Sequence, residues 1–408
     1  MFFELFANAY ADSANLALLP EGKVRLIPLG VEDVGNFDWR HHARADLSWW
    51  MRIEDLQYLL PAINSVDVKD KRLAREWVAG WCEAHERDPR PNPGAWQPMT
   101  AGIRALVLVR FLKELHDSGE SDTGLDTRIR ESILEHQRFL EKRENFEGRS
   151  NHGMWEALGL FETVRVTGGA ETAAFALRRL TDVVNLSVSG MGIHKEHAAA
   201  YHFYFSRWLS DFVRYLETLD VDVGALSGVA ARMRGAAYYL IDHGGNVPQI
   251  GDTDAMRIDP DSLGTPEGAR DRVLFDESGG IAVFKDPPGR DSSRYIAFNI
   301  RQLRNLRLSL AHTHRDILAV YFSCDGEVIL GDGGRYGYTD SVPRRYFVSS
   351  AAHNTIIPMD NLDSSAGVTG PIGGITPALE HGASSVAFVG NLNRRLAVRP
   401  LRTRSVPV

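Results

Sequence analysis

Cysteine is almost absent, with Cys82 and Cys324 the two in 408 residues. Two thiols so far apart make no disulfide framework and lack metal-ligand spacing. Cys324 sits in a strand-like run and reads as a small core residue. Also missing is any stretch near the ~20 apolar residues that a membrane helix needs, so no membrane span is expected. Positive charge is not in excess, because 46 Lys and Arg face 53 Asp and Glu for a formal net charge of -7. That balance argues against nucleic acid as a partner. It leaves a polyanionic sugar open, since a local basic cleft can sit on an acidic protein. The opening MFFELFANAYADSANLALLPEGK has neither the basic start nor the unbroken apolar core of a signal peptide. As printed, the chain reads as non-exported and cytoplasmic; a trimmed start would make it periplasmic.

What is present fits a soluble globular protein, 44% hydrophobic and 24% charged. The length exceeds one ordinary core and suggests two domains. From about Trp49 to His243 the apolar pattern is helical. Ile103, Leu106, Val107, Val109, Phe111, Leu112 and Leu115 form one broad stripe, and Tyr201, Phe205, Trp208, Phe212 and Tyr215 another. Similar stretches fall near 50–63, 70–87, 126–143, 152–166, 171–187 and 225–242. Breakers at Pro89, Pro91, Pro93 and Gly94, then Gly148, Gly168-Gly169, Gly190, Gly192 and Gly244-Gly245 separate them. The helices read as stacked antiparallel pairs, and periodicity does not choose among a solenoid, a bundle and a closed α/α toroid. After about residue 270 the period becomes two, as in YIAFNIRQ (295–302) and ILAVYFSC (317–324). Asp325-Gly326 before EVILGD signals a hairpin. The boundary is expected near 255–275, where Pro260, Gly264, Pro266 and Gly268 cluster, giving domains of 1–265 and 270–408.

Four clusters could carry chemistry. Asn151-His152-Gly153 opens a helix, and Asn151 alone also suits an N-cap. Tyr201-His202 opens the aromatic helix, where a core role is the plainer reading. His312-Thr313-His314 puts both imidazoles on one face of an extended segment. Asp332 and His353-Asn354-Thr355 flank expected strands. Other features read as structural. His194 and His197, with Lys195 and Glu196 between them, suggest a solvated loop. Asp252 and Asp254 of GDTDAMR suggest a turn joining the domains. Trp96 and Arg104 read as core packing and a surface cation, and His41-His42 has no partner in sight.

Taken together, NHGMWEALGLF, YHFYFSRWLSDF, SLAHTHRDILAVYF, EVILGDGGRYGY and SSAAHNTI, in that order, resemble the heparinase II/III-like polysaccharide lyases, which include heparin and alginate lyases. The resemblance covers roughly residues 90–360. It implies an α+β two-domain fold: an incomplete α/α toroid followed by an antiparallel β-sandwich, here with a short sheet, and an active cleft between them. It also implies an acidic uronate-containing glycan cut by β-elimination. There Asn151 and His152 would neutralise the uronate carboxylate, Tyr201 would act as acid/base, and His312 would be a base reaching in from the β half. Removing the C5 proton requires stabilising the enolate that spreads onto the carboxylate, and a base and an acid must move the protons. A phenol, with a reference pKa of about 10, needs nearby positive charge to ionise.

His314, Asp332 and His353 match the family's metal position, and two imidazoles with a carboxylate suit structural Zn²⁺. A two-residue turn at Asp325-Gly326 would pair Cys324 with Glu327 and set Asp332 opposite Ala319, on the wrong face for His314. A longer turn, a bulge or an incomplete metal site would each account for this. A glycoside hydrolase on the same architecture is the alternative, needing two carboxylates drawn from Asp252, Asp254, Glu156 and Glu196. A non-catalytic glycan-binding protein is the third reading.

Overall fold

The computed structural model describes residues 12–26, 29–34, 38–39, 47–87, 92–119, 123–148, 150–263, 273–287, 293–301, 312–338 and 340–355, and the backbone of 375–378 and 387–390. His41-His42, most of the expected domain boundary (264–272) and residues 302–311 lie outside them. Counting helices of seven residues or more, the order is α1 (Leu47–Glu54), α2 (Val68–Arg87), α3 (Pro98–Asp117), α4 (Thr123–Glu141), α5 (Asn151–Thr167), α6 (Ala170–Ser187), α7 (Ala199–Glu217), α8 (Gly224–Ala237) and α9 (Val342–Val348). Strands β1 (Lys23–Leu26) and β2 (Gly30–Asp33) make a small antiparallel pair, and β8 (Ile375–Ala378) and β9 (Ala387–Gly390) another. Strands β3 (Val273–Asp276), β4 (Ile281–Lys285), β5 (Arg294–Asn299), β6 (Val320–Cys324) and β7 (Glu327–Leu330) form an antiparallel meander in sequence order.

Two compact units result, one of Met1–Ser187 with Arg207–Ala230, the other of Val188–Ser206 with Ala231–Val408. In the first, α3 begins on Pro98, whose missing N–H costs nothing at a helix start. It is apolar nearly all round and buried accordingly. It packs on α5, which also meets α4 and α6. The α3–α5 approach needs glycine, because a Cβ on Gly102 would lie 2.6 Å from the Trp155 carbonyl oxygen. Arg104 is fully buried rather than a surface cation, hydrogen-bonding His136 at 2.9 Å and the Glu54 carbonyl at 3.0 Å. Its guanidinium lies 4.8 Å from the Trp81 ring and 5.3 Å from the Trp96 ring, so charge is satisfied inside an aromatic box.

In the second unit the core gathers Leu274, Val283, Tyr295, Ala297 and Tyr321 from the sheet, with Ile193, Leu240 and Ile250 from the preceding segments. Cys324 ends β6 half-buried, not in the core, whereas Cys82 is buried. Asp325 (φ 53°) and Gly326 (φ 79°) form the mirror-image turn that hairpins favour. Cys324 pairs with Glu327 and Ser323 with Val328, but Phe322 then pairs with Leu330. Ile329 is therefore a bulge, which shifts the register from that of a simple two-residue turn. No helix among the described residues is long and apolar enough to cross a membrane.

Candidate functional site

Four backbone segments of the second unit supply the site: the first turn of α7, the loop 250–254, the stretch from His312 to Ala319, and the loop after β7 that leads into α9. Gly251, at φ +59°, threads between two of them, since a Cβ there would lie 2.5 Å from the His197 carbonyl oxygen and 2.7 Å from that of His312. Thr253 receives the Ala200 N–H at 3.2 Å and so caps the start of α7.

Tyr201 and His312 come together, their rings stacked at 3.8 Å and 24°. The Tyr201 hydroxyl is hydrogen-bonded to that of Tyr338, whose ring meets His312 edge-on at 5.9 Å. His312 Nδ1 lies 3.2 Å from Asp252 Oδ2, and its Nε2 3.6 Å from Glu196 Oε2. Asp252 is fully buried, not a turn carboxylate: His314 Nε2 reaches its Oδ1 at 2.8 Å, and Arg344 donates to both oxygens. Burial would raise its pKa, but the bonds from His312, His314 and Arg344 hold it well below the usual carboxylate range. Arg335 is fixed by two bonds to Asp254 and lies 4.7 Å from the Tyr338 ring. Burial pushes the Tyr201 phenol far up, as do Tyr338 and Glu196, while Arg335 acts the other way.

His194, Glu196 and His197 are buried, so the segment 194–197 is no solvated loop. His194 and His197 line a cavity of about 30 Å³ with His202 and Asn299. Burial lowers the imidazole pKa to about 4 at His194 and about 3 at His197 and His202, keeping all three neutral.

Asp332 and His353 pair, with His353 Nδ1 3.0 and 2.8 Å from the two carboxylate oxygens. Burial lowers the His353 pKa but Asp332 more than offsets it, for a net rise. The His314 and His353 rings lie 5.2 Å apart, and His314 Nδ1 and His353 Nε2 are buried without a hydrogen-bond partner. Those open nitrogens suit a metal such as Zn²⁺, although Asp332 spends both oxygens on His353. Among the described residues no group of three His, Cys, Asp or Glu side chains stands so that it could hold a metal ion.

Asn151 and His152 belong to the first unit, at the start of α5. The N-cap is Ser150, whose hydroxyl accepts the His152 N–H at 3.2 Å, while Asn151 is the first helical residue and buried. His152 Nδ1 lies 3.0 Å from Glu147 Oε2, and this contact lowers the Glu147 pKa.

Tyr338, Arg335 and Arg344 are site residues that the sequence did not single out, and Asp252 was read as a turn residue or a hydrolase carboxylate. Tyr338 was visible only as part of GDGGRYGY, and Asp252 only as one of two acids in a loop.

The fold is of the heparinase III-like class, an incomplete α/α toroid followed by an antiparallel β-sandwich. It is similar to a heparinase III structure (TM-score 0.67, 16% identity, covering 91% of this chain and 66% of that one). It is also similar to a heparan sulfate lyase mutant from Pedobacter heparinus (TM-score 0.60, 12% identity, 84% and 60%). Residues 277–374 match the family described as heparinase II/III-like, C-terminal. The chain thus spans between 60% and 66% of the length of those two structures. No curated protein matches the chain.

Proposed function

We propose that this protein is a polysaccharide lyase that cleaves an acidic, uronate-containing glycan by β-elimination, heparan-like or alginate-like in kind. The observation that carries the reading is Tyr201 stacked on His312, with His312 tied through Nδ1 to a buried carboxylate, Asp252. That carboxylate orients the imidazole and sets its tautomer, leaving Nε2 for proton transfer. Tyr201 would give its proton to the oxygen leaving C4, and His312 would take the C5 proton of one of the two epimers. The assignment of Asn151 and His152 to the uronate carboxylate rests on the family resemblance. Asp252 and Asp254 already hold arginines, which disfavours a hydrolase that needs them as acid and base.

Incubation with alginate, heparan sulfate, heparin, hyaluronan and chondroitin should give an unsaturated product with near-ultraviolet absorbance from at least one. Saturated sugar products would point to hydrolysis, and binding without turnover to a glycan-binding protein. Turnover that survives Tyr201→Phe would remove Tyr201 from the chemistry.

A further inference from the structure

The loop after β7 and the helix α9 that follows it carry aromatic rings that the site described above does not use. We propose that Tyr336, Tyr346 and Phe347 form a sugar-stacking platform beside that site. It would bind a further uronate residue of the same polymer, with Arg345 as the partner of that residue's carboxylate. The proposal rests on the reading that a uronate polymer is held at Tyr201 and His312.

The rings form one surface. Tyr336 and Tyr346 are 58% and 54% exposed, and Phe347 joins them. Its centroid lies 5.7 Å from Tyr336 at 30° and 5.8 Å from Tyr346 at 89°. Phe347 is itself held against the loop, since a Cβ on Gly333 would lie 3.0 Å from its Cε1. Single exposed apolar residues are ordinary, but a contiguous exposed patch rimmed by charge marks a place of binding. Rings fixed against one another also lose little freedom when a ligand arrives.

The platform is continuous with the site through both of its elements. Two residues after Tyr336 in the same loop, Tyr338 hydrogen-bonds Tyr201 and meets His312 edge-on. Immediately before Arg345 on α9, Arg344 donates to both oxygens of the buried Asp252. A polymer lying on Tyr201 and His312 is therefore beside these rings.

The chemistry selects a sugar. A pyranose ring presents C–H bonds on its face, and the electron-rich face of an aromatic ring attracts them, while the tyrosine hydroxyl stays in water. Charge selects an acidic one. Arg335 and Arg344 are committed to Asp254 and Asp252, but Arg345 is paired with Asp340 at 3.1 and 3.2 Å where both side chains are exposed. An exposed pair contributes little, so Arg345 can exchange Asp340 for a sugar carboxylate at small cost.

Kinetics on the full chain test the proposal, using hexasaccharides and trisaccharides from whichever of the five polymers named above is cleaved. Tyr336→Ala and Tyr346→Ala should each raise KM for the hexasaccharide by about tenfold, with a much smaller fall in kcat. The advantage of the hexasaccharide over the trisaccharide should shrink accordingly. Tyr336→Phe, which keeps the ring, should retain it, and Arg345→Gln should remove part of the salt dependence of KM. A length advantage that survives both alanine variants overturns the proposal, as does Tyr336→Phe behaving like Tyr336→Ala. So does lower thermal stability with KM unchanged, because the rings would then serve only the packing of the fold. Calorimetry of the Tyr201→Phe protein with hexasaccharides of all five polymers gives the same comparison without turnover, and binding of none of them overturns the proposal. A chain that binds one of them through these rings but never releases an unsaturated product keeps the platform and loses the lyase reading.

Discussion

Acid should weaken the second unit through its three cavity histidines, and one substitution isolates the effect. His194, His197 and His202 are held neutral by burial, with pKa values of about 4, 3 and 3. In the unfolded chain each returns to about 6.5. Below that pH the unfolded state binds more protons than the folded one, so stability falls with falling pH until the folded values are reached. Between pH 7 and pH 5 each histidine costs about 2 kcal/mol, at about 1.4 kcal/mol per pH unit over some 1.5 units. Three together approach about 6 kcal/mol, a large share of the ~5–15 kcal/mol that holds a domain. In the first unit Glu156 and Glu162, both raised to about 7 by burial, work oppositely and gain stability as acid is added. Whole-chain stability against pH therefore mixes two signs, and the informative quantity is a difference between proteins. His194→Phe is the suitable variant, because His194 stacks on Phe205 at 4.6 Å and neither ring nitrogen has a hydrogen-bond partner. Urea unfolding at pH 7 and pH 5, with native-state hydrogen exchange to localise the loss, should show the variant losing about 2 kcal/mol less than wild type over that interval. Equal losses would refute the assignment of His194 as a buried neutral imidazole.

Asp252→Asn should cost about 3–5 kcal/mol in denaturant unfolding, since Arg344 keeps its charge among buried groups without the carboxylate that balances it; a loss under ~1 kcal/mol would contradict that clamp. Gly102→Ala should cost about 1–3 kcal/mol in the same assay, because the new methyl meets the Trp155 backbone rather than a movable side chain. We propose that His314, Asp332 and His353 hold a structural Zn²⁺ through the open His314 Nδ1 and His353 Nε2. Elemental analysis should then find about one zinc per chain, lost in His353→Ala; metal-free protein with wild-type stability would remove the ion.

Long-range periodicity made the helical half and the hairpin at Asp325-Gly326 legible, because helices with one buried stripe and strands with one buried face write their period into the chain. Strand β4 escaped because Ile281, Ala282, Val283 and Lys285 are all buried, on both faces, and no alternation survives. The helix start at 151 was placed correctly and its cap one residue late: Ser150 and Asn151 are equally good caps, and only the bond to the His152 N–H separates them. Asp252, His194 and His197 were misread for a common reason. Polar residues near glycines look solvated in a sequence, and what buries them, the approach of His312 and Arg344 to one side and Gly280 to the other, comes from segments 60 to 92 residues away. Beyond its place in GDGGRYGY, Tyr338 carried no signal of its own, since its hydroxyl meets one 137 positions distant.

The bulge at Ile329 turns chain length into information. Alternation along a strand is a parity, and one extra residue reverses it for everything downstream. No substitution in β7 alters that parity, and its four side chains are exposed. A one-residue deletion anywhere between Glu327 and Leu330 would do what no substitution does: keep every site residue and present Asp332 to the other face, away from His353. The number of residues between Asp325-Gly326 and Asp332 is thus a constraint separate from the identity of any residue within that stretch.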